Sequence, residues 1–254
     1  MTKRQRFVIT SLLLSIGFVA MQIYGQNRFI TIAGLGVLTA VLFIWSLREG
    51  LGLNFTLLTI VLPVFFTLGV GLFWFLLPAN IYAQIPIVFI YGLGIYALCL
   101  TANIYTVSAI RTIALLRAAH GVGFVISLFT LFLVYDAVLS LRANILFNGG
   151  MVAILSFPLF YQSFWSVGLK KIFGKEILTI SLISSLIMGE IALSLYFWPV
   201  TLVVGSLFLT VAGYVLMGLG QAKLEGRLFT QTIREYLILG TLVFVGMFFA
   251  TRWG

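Results

Sequence analysis

Charged side chains are nearly missing from this 254-residue chain: 8% of residues are Asp, Glu, Lys or Arg and 62% are hydrophobic, where a soluble domain carries about 25% charged residues. So few charges cannot build a water-facing surface, and the mean hydropathy of +1.18 puts lipid around most of the chain. Cysteine is reduced to Cys99, which excludes a disulfide, a thiol pair or a sulfur metal cage and leaves a small apolar packing residue. Histidine is reduced to His120, too little for an H-E-x-x-H zinc site or a convincing Ser/His/Asp set. No G-x-x-x-x-G-K-[ST] loop is present to cradle nucleotide phosphates. No lysine falls inside an apolar run, which excludes a retinal Schiff base. The outer loops are too short for the acidic catalytic loop of lipid-linked glycosyltransferases. With no catalytic motif found, no enzymatic activity and no cofactor or metal are expected.

What remains is apolar and long. A spanning helix needs about 20 largely apolar residues to cross a hydrocarbon core of roughly 30 Å. Nine runs come near that length: Phe7 to Tyr24, Phe29 to Leu47, Leu53 to Leu77, Ile85 to Val107, Gly121 to Leu141, Asn148 to Leu169, Ile177 to Trp198, Val200 to Gly220 and Ile233 to Thr251. They are too long and too uniformly apolar for barrel strands. The expectation is an all-α, polytopic bundle of nine transmembrane helices, a single integral membrane domain over residues 1–254. The first run follows Lys3, Arg4 and Arg6 without an A-x-A-like cleavage site, so it reads as a retained signal-anchor.

Lys and Arg collect in short loops that stay cytoplasmic. With the N-terminus inside, Lys3, Arg4, Arg6, Arg48, Arg111, Arg117, Lys170, Lys171, Lys175, Lys223, Arg227 and Arg234 fall inside, and only Arg28, Arg142 and Arg252 fall outside. Dropping one helix would invert every later loop, so the N-terminus is expected in the cytoplasm and the C-terminus outside, in the cell (plasma or inner) membrane. The net charge of +9 then reflects orientation and anionic headgroups rather than nucleic acid. Ser108 to His120 reads as an interfacial stretch, with Arg111, Arg117 and His120 as inner-face lipid contacts.

Pro78 and Pro199 stand at outer turns beside the aromatic clusters Phe73 to Phe75 and Tyr196 to Trp198, as headgroup-level aromatics do. The recurrence hints at two four-helix repeats followed by a ninth helix. Pro63 and Pro158 lie within spans, where each removes a backbone bond. Thr232 and Glu235 fit a capping box at the start of the last helix. Small residues at Ala33, Gly34, Gly36 and Ala40, and at Gly213, Gly218, Gly220 and Ala222, permit close helix contacts without a strict G-x-x-x-G. They are compatible with a homo-oligomer or a partner in a membrane complex.

Two acids stand inside apolar runs. Glu190 lies about 21 Å along its helix from Glu176 at 1.5 Å per residue, and Asp136 lies near the outer boundary of the fifth run. Intramembrane acids are costly and by default raise a functional hypothesis; the alternative is an acid that only ties two helices together. With Gln162 and Arg142 they make up a candidate intramembrane polar site. Glu190 is expected to pair with Arg28, Arg142, Arg252 or Gln162.

The stretch G-E-I-A-L-S-L-Y-F-W-P-V from Gly189 to Val200, L-E-G-R-L from Leu224 to Leu228, R-E-Y-L from Arg234 to Leu237, and R-T-I-A-L-L-R from Arg111 to Arg117 resemble a group of uncharacterised bacterial multi-pass membrane proteins. The resemblance lies mainly in the last third of the chain. It implies that Glu190 belongs to a patterned segment and carries no activity with it. Two functions stay open: a small-solute or ion-coupled transporter with Glu190 and Asp136 on its path, or a scaffold or accessory subunit whose acids lock helices together.

Overall fold

The computed structural model describes residues 2–23, 28–48, 53–77, 81–108, 114–169 and 174–251. Among them every regular element is a helix: α1 (Lys3–Ile23), α2 (Arg28–Leu47), α3 (Leu53–Trp74), α4 (Ile81–Ser108), α5 (Leu116–Ser140), α6 (Ile145–Gly168), α7 (Lys175–Leu195), α8 (Leu202–Leu224) and α9 (Thr230–Ala250). Eight are long and apolar enough to cross a membrane; in α3 the described apolar stretch is the shorter Leu58–Trp74. Helices are the element such runs must form, because lipid offers no partner to an unpaired N–H or C=O.

Two boundaries correct the sequence reading. α5 begins at Leu116, so Arg117 and His120 belong to its first turns rather than to an interfacial stretch; Arg111 lies outside the described residues. α9 begins at Thr230 behind an extended Phe229, with no side-chain cap. Thr232 is thereby inside the helix, and Glu235 accepts from Gln231 Nε2 at 3.1 Å one turn back instead of closing a capping box. Pro63 and Pro158 lie inside α3 and α6, and Pro86 inside α4. Pro78 lies outside the described residues.

The chain forms two compact units, Met1–Thr130 and Leu131–Gly254, with the division inside α5. In the first, α1 packs on α2 and α4, and α2 on α3. Helices in lipid gain nothing from the hydrophobic effect against one another, so close packing and internal hydrogen bonds hold them. Tyr91 supplies both. Its ring stacks on Phe18 at 4.8 Å and Phe66 at 5.8 Å. Its hydroxyl lies 3.1 Å from Thr67 Oγ1, which lies 3.1 Å from Thr39 Oγ1. Thr39 in turn donates to the Leu35 carbonyl at 2.8 Å, so this chain of hydroxyls across α2, α3 and α4 is closed. Cys99 is buried.

In the second unit α6 and α7 form the most extensive contact, α8 packs on both, and α9 packs on α8. The α6–α7 crossing is made by small residues. A Cβ added to Gly189 would sit 3.0 Å from both Ala153 Cβ and the Gly149 carbonyl oxygen, and one added to Gly149 would sit 2.5 Å from Leu193 Cδ2. Backbone meets backbone there, as small residues allow in membranes. Gly218 and Gly220 on α8 similarly receive the rings of Tyr236 and Phe164. α9 buries only Met247 within its span, and its far end rests Phe244 and Phe248 against Trp198 at 5.6 and 6.2 Å.

Candidate functional site

The polar residues of the second unit gather where α5 hands over to α6 and α7 to α8. α5 ends in two tight bonds, Leu141 N–H to Val138 O and Arg142 N–H to Leu139 O, both 3.2 Å. Arg142 then takes a left-handed conformation, φ 47°, which costs a residue with a Cβ roughly 1–2 kcal/mol. Asn144 starts α6 by accepting the Phe147 N–H at 2.8 Å. Across from it, Pro199 stops α7 from running on, and Thr201 starts α8 as its cap, accepting weakly from Val204 N–H at 3.4 Å.

Between these turns is a cavity of about 250 Å³, lined by Leu139, Arg142, Asn148, Ala192, Tyr196, Trp198 and Thr201 among others. Its polar groups are unlike. Arg142 is exposed at the rim and brings a cation. The first N–H groups of α6 and α8 have no partner within their helices and carry the positive end of each helix dipole. Asn148 is 5% exposed. Its Nδ2 donates to the Ala143 carbonyl at 3.3 Å, while its Oδ1 is buried with no hydrogen-bond partner. An orphaned buried acceptor costs about 1–3 kcal/mol.

One helical turn deeper on α5 than Leu139 lies Asp136, 5% exposed. Ser206 Oγ of α8 donates to its Oδ1 at 3.2 Å. Asp136 therefore ties α5 to α8 beneath the cavity without being part of its lining. Tyr135 and Ser156, their hydroxyl oxygens 2.8 Å apart, tie α5 to α6 at the same depth.

The four residues singled out as an intramembrane polar site do not converge. Arg142 lines the cavity and Asp136 lies just below it. Gln162 is buried with an unpartnered Oε1, but it sits about 25 Å along α6 from Ile145 at 1.5 Å per residue. Glu190 lies apart from these three. It is exposed, and among the described residues it makes no bond to Arg142 or Gln162; Arg252 and the side chain of Arg28 lie outside the described part. The reason is helical phase. Met188, Gly189 and Ala192 turn inward on α7, and at 3.6 residues per turn that sends Glu190 outward with Leu182, Ile183 and Leu186. At the far end of α5, Arg117 is exposed. The His120 ring lies 5.7 Å from Tyr105, whose hydroxyl donates to the Ala119 carbonyl at 3.1 Å.

Asn148, Thr201 and Ser206 escaped the sequence reading. Each is an ordinary polar residue near the end of an apolar run, and only the meeting of two turns gives them a common purpose. Among the described residues no three His, Cys, Asp or Glu side chains come together as a metal site would need.

No curated protein and no solved structure matches the chain. A family described as a protein of unknown function, DUF5656, matches residues 9–250, a span that holds the whole cavity, the Asp136–Ser206 pair and all of α2 through α9. The chain belongs to the DUF5656 family.

Proposed function

We propose that this is a multi-pass membrane protein of nine spanning helices, N-terminus in the cytoplasm, acting as a small-solute or ion-coupled transporter through its second unit. The supporting observation is a buried acid, Asp136, hydrogen-bonded by Ser206 across α5 and α8 one turn beneath a polar-lined cavity. Polar groups at that depth are expensive, and where they occur they mark solute or ion pathways. In this reading the cavity receives the solute at the outer face and Asp136 serves the coupling ion. Glu190 is not on the path. The test is flux in proteoliposomes loaded with candidate solutes, with and without a proton or sodium gradient. Asp136→Asn keeps the shape and the contact with Ser206, and is expected to lower gradient-driven flux at least tenfold. Undiminished flux in that variant overturns the role of Asp136.

A second reading, an accessory subunit in a membrane complex, draws on the outward Glu190 and on the single-sided attachment of α9. Membrane lipids, and a second copy or another membrane protein, would be its partners. Purification in mild detergent followed by mass measurement of the intact particle separates the two: a lone copy with flux supports transport.

A further inference from the structure

We infer that the groove between α4 and α5 in the first unit seats one acyl chain of an anionic phospholipid, whose phosphate is held by Arg117. The inference rests on the chain lying in a bilayer and is independent of transport through the second unit.

The groove has a volume of about 550 Å³ and is lined by apolar side chains and glycines alone. Its shape follows from where side chains are missing. Gly94 and Ala97 of α4 and Gly121 of α5 leave a slot, and a Cβ on Gly121 would meet nothing within 4 Å. Ile90, Leu93, Val122 and Val125 stand exposed along it. Phe66 of α3 forms the floor at Gly94, where an added Cβ would lie 2.5 Å from its Cζ. The same ring sits 6.3 Å from that of Phe129 at the deep end.

From Gly121 to Phe129 the groove runs about 12 Å along α5 at 1.5 Å per residue. A lipid tail of one leaflet fills about 15 Å, half of a hydrocarbon core of roughly 30 Å. A groove that starts near a helix end and stops near the midplane has the reach of such a tail and is too short for a spanning helix. Its flanks do not suit a helix either. Membrane helices approach one another over small residues, and here larger aliphatic side chains stand on both sides.

Charge identifies the headgroup. Arg117, Gly121, Val125 and Phe129 are four apart and form one ridge of α5. Arg117 is exposed, one turn beyond the open end of the groove on that ridge. Residues 1–130 contain a single acid, Glu49, which lies outside the described residues, so no described carboxylate of this unit can pair with the guanidinium. Arg117 also occupies the first turn of α5, where the helix dipole disfavours a cation. A phosphate at that place engages the guanidinium fork and offsets the dipole together. The positive-inside bias accounts for a cation in this part of the chain; it does not account for one in register with the groove.

The experiment uses full-length protein stripped of lipid in detergent, with intact mass spectrometry to count what is bound. The probes are phosphatidylglycerol, its lyso form with one chain, glycerol 3-phosphate with none, and phosphatidylcholine, whose choline cation offsets its phosphate. One phosphatidylglycerol or one lyso form is expected to bind at least tenfold more tightly than phosphatidylcholine, and glycerol 3-phosphate is expected not to compete. Arg117→Gln should bring phosphatidylglycerol down to the phosphatidylcholine level. Gly121→Leu fills the slot and is expected to weaken both anionic lipids at least tenfold. Its melting temperature in lipid-free detergent should stay the same or rise, because leucine favours helix more than glycine. Gly34→Leu, at an equally open and exposed position on α2, is expected to change nothing. Should Gly121→Leu fail to fold, Val125→Phe narrows the same groove and carries the same expectation. Equal affinity for the two headgroups, undiminished binding in the groove-filling variant, or competition by glycerol 3-phosphate overturns the assignment. A dimer that Gly121→Leu dissociates would make a second copy the occupant and overturns it as well. Recovery of the protein in the aqueous phase without detergent would overturn the membrane reading itself, and this assignment with it.

Discussion

Single residues in this chain are expensive or cheap according to which side of a helix they fall on. Ser206 is buried and holds Asp136. Interhelical hydrogen bonds in membranes average about 0.6 kcal/mol and reach about 1.7. Ser206→Ala should cost an amount in that range, read from unfolding in mixed micelles, and should lower flux if Asp136 acts in transport. Glu190 is the counter-case. It faces out among leucines, and surface substitutions away from special features usually stay within 0.5 kcal/mol. Glu190→Leu should leave stability of the isolated protein unchanged within that margin. A loss above about 1 kcal/mol would mean that the carboxylate has a partner within the chain. If Glu190 instead meets another protein, the variant should release that protein on co-purification without melting earlier.

At the scale of the element, the α6–α7 seam is the least forgiving place. Gly189→Leu would force a branched side chain where even a Cβ meets Ala153 and the Gly149 carbonyl at 3.0 Å. Overpacking of that kind costs typically 1–3 kcal/mol, and a thermal unfolding curve should show the loss. Gly34, with nothing near its Cβ position, should accept alanine with no loss, although it sits in an equally suggestive run of small residues. The contrast marks what the sequence could tell. Run length and the scarcity of charge were enough to place the helices, because lipid forces helix on any run of that kind. They could not say which face of α7 turns inward. A helix that is hydrophobic all round has no apolar stripe to fix its phase, so the sequence did not show that Glu190 faces outward and Asp136 inward. The cavity was hidden for another reason. Thr201 stands far along the chain from Arg142 and Asn148, and the pairing of two turns that unites them is a property of packing.

For the whole molecule, the distribution of Lys and Arg predicts an orientation that labelling can check. Cys99 is the only cysteine and is buried, so Cys99→Ala gives a background free of thiols. A single cysteine at Leu141, exposed beyond α5, should react with a membrane-impermeant maleimide in intact cells. Single cysteines at Thr2 or Gln231, both exposed, should react only after permeabilisation. The opposite pattern would invert the topology and place the cavity at the cytoplasmic face.

The glycine seam has a mechanical consequence. Two helices in backbone contact cannot slide or spread without opening a void, so α6 and α7 are expected to move together. The cavity wall includes Asn148 from one and Ala192 and Leu195 from the other, so that side of it is tied to the seam. Widening to admit or release a ligand is then expected on the remaining sides, where the end of α5 and the start of α8 line the cavity. A tilt of α8 there would stretch the Ser206–Asp136 bond, making it the latch, and would carry Trp198 and the end of α9 outward as the handle.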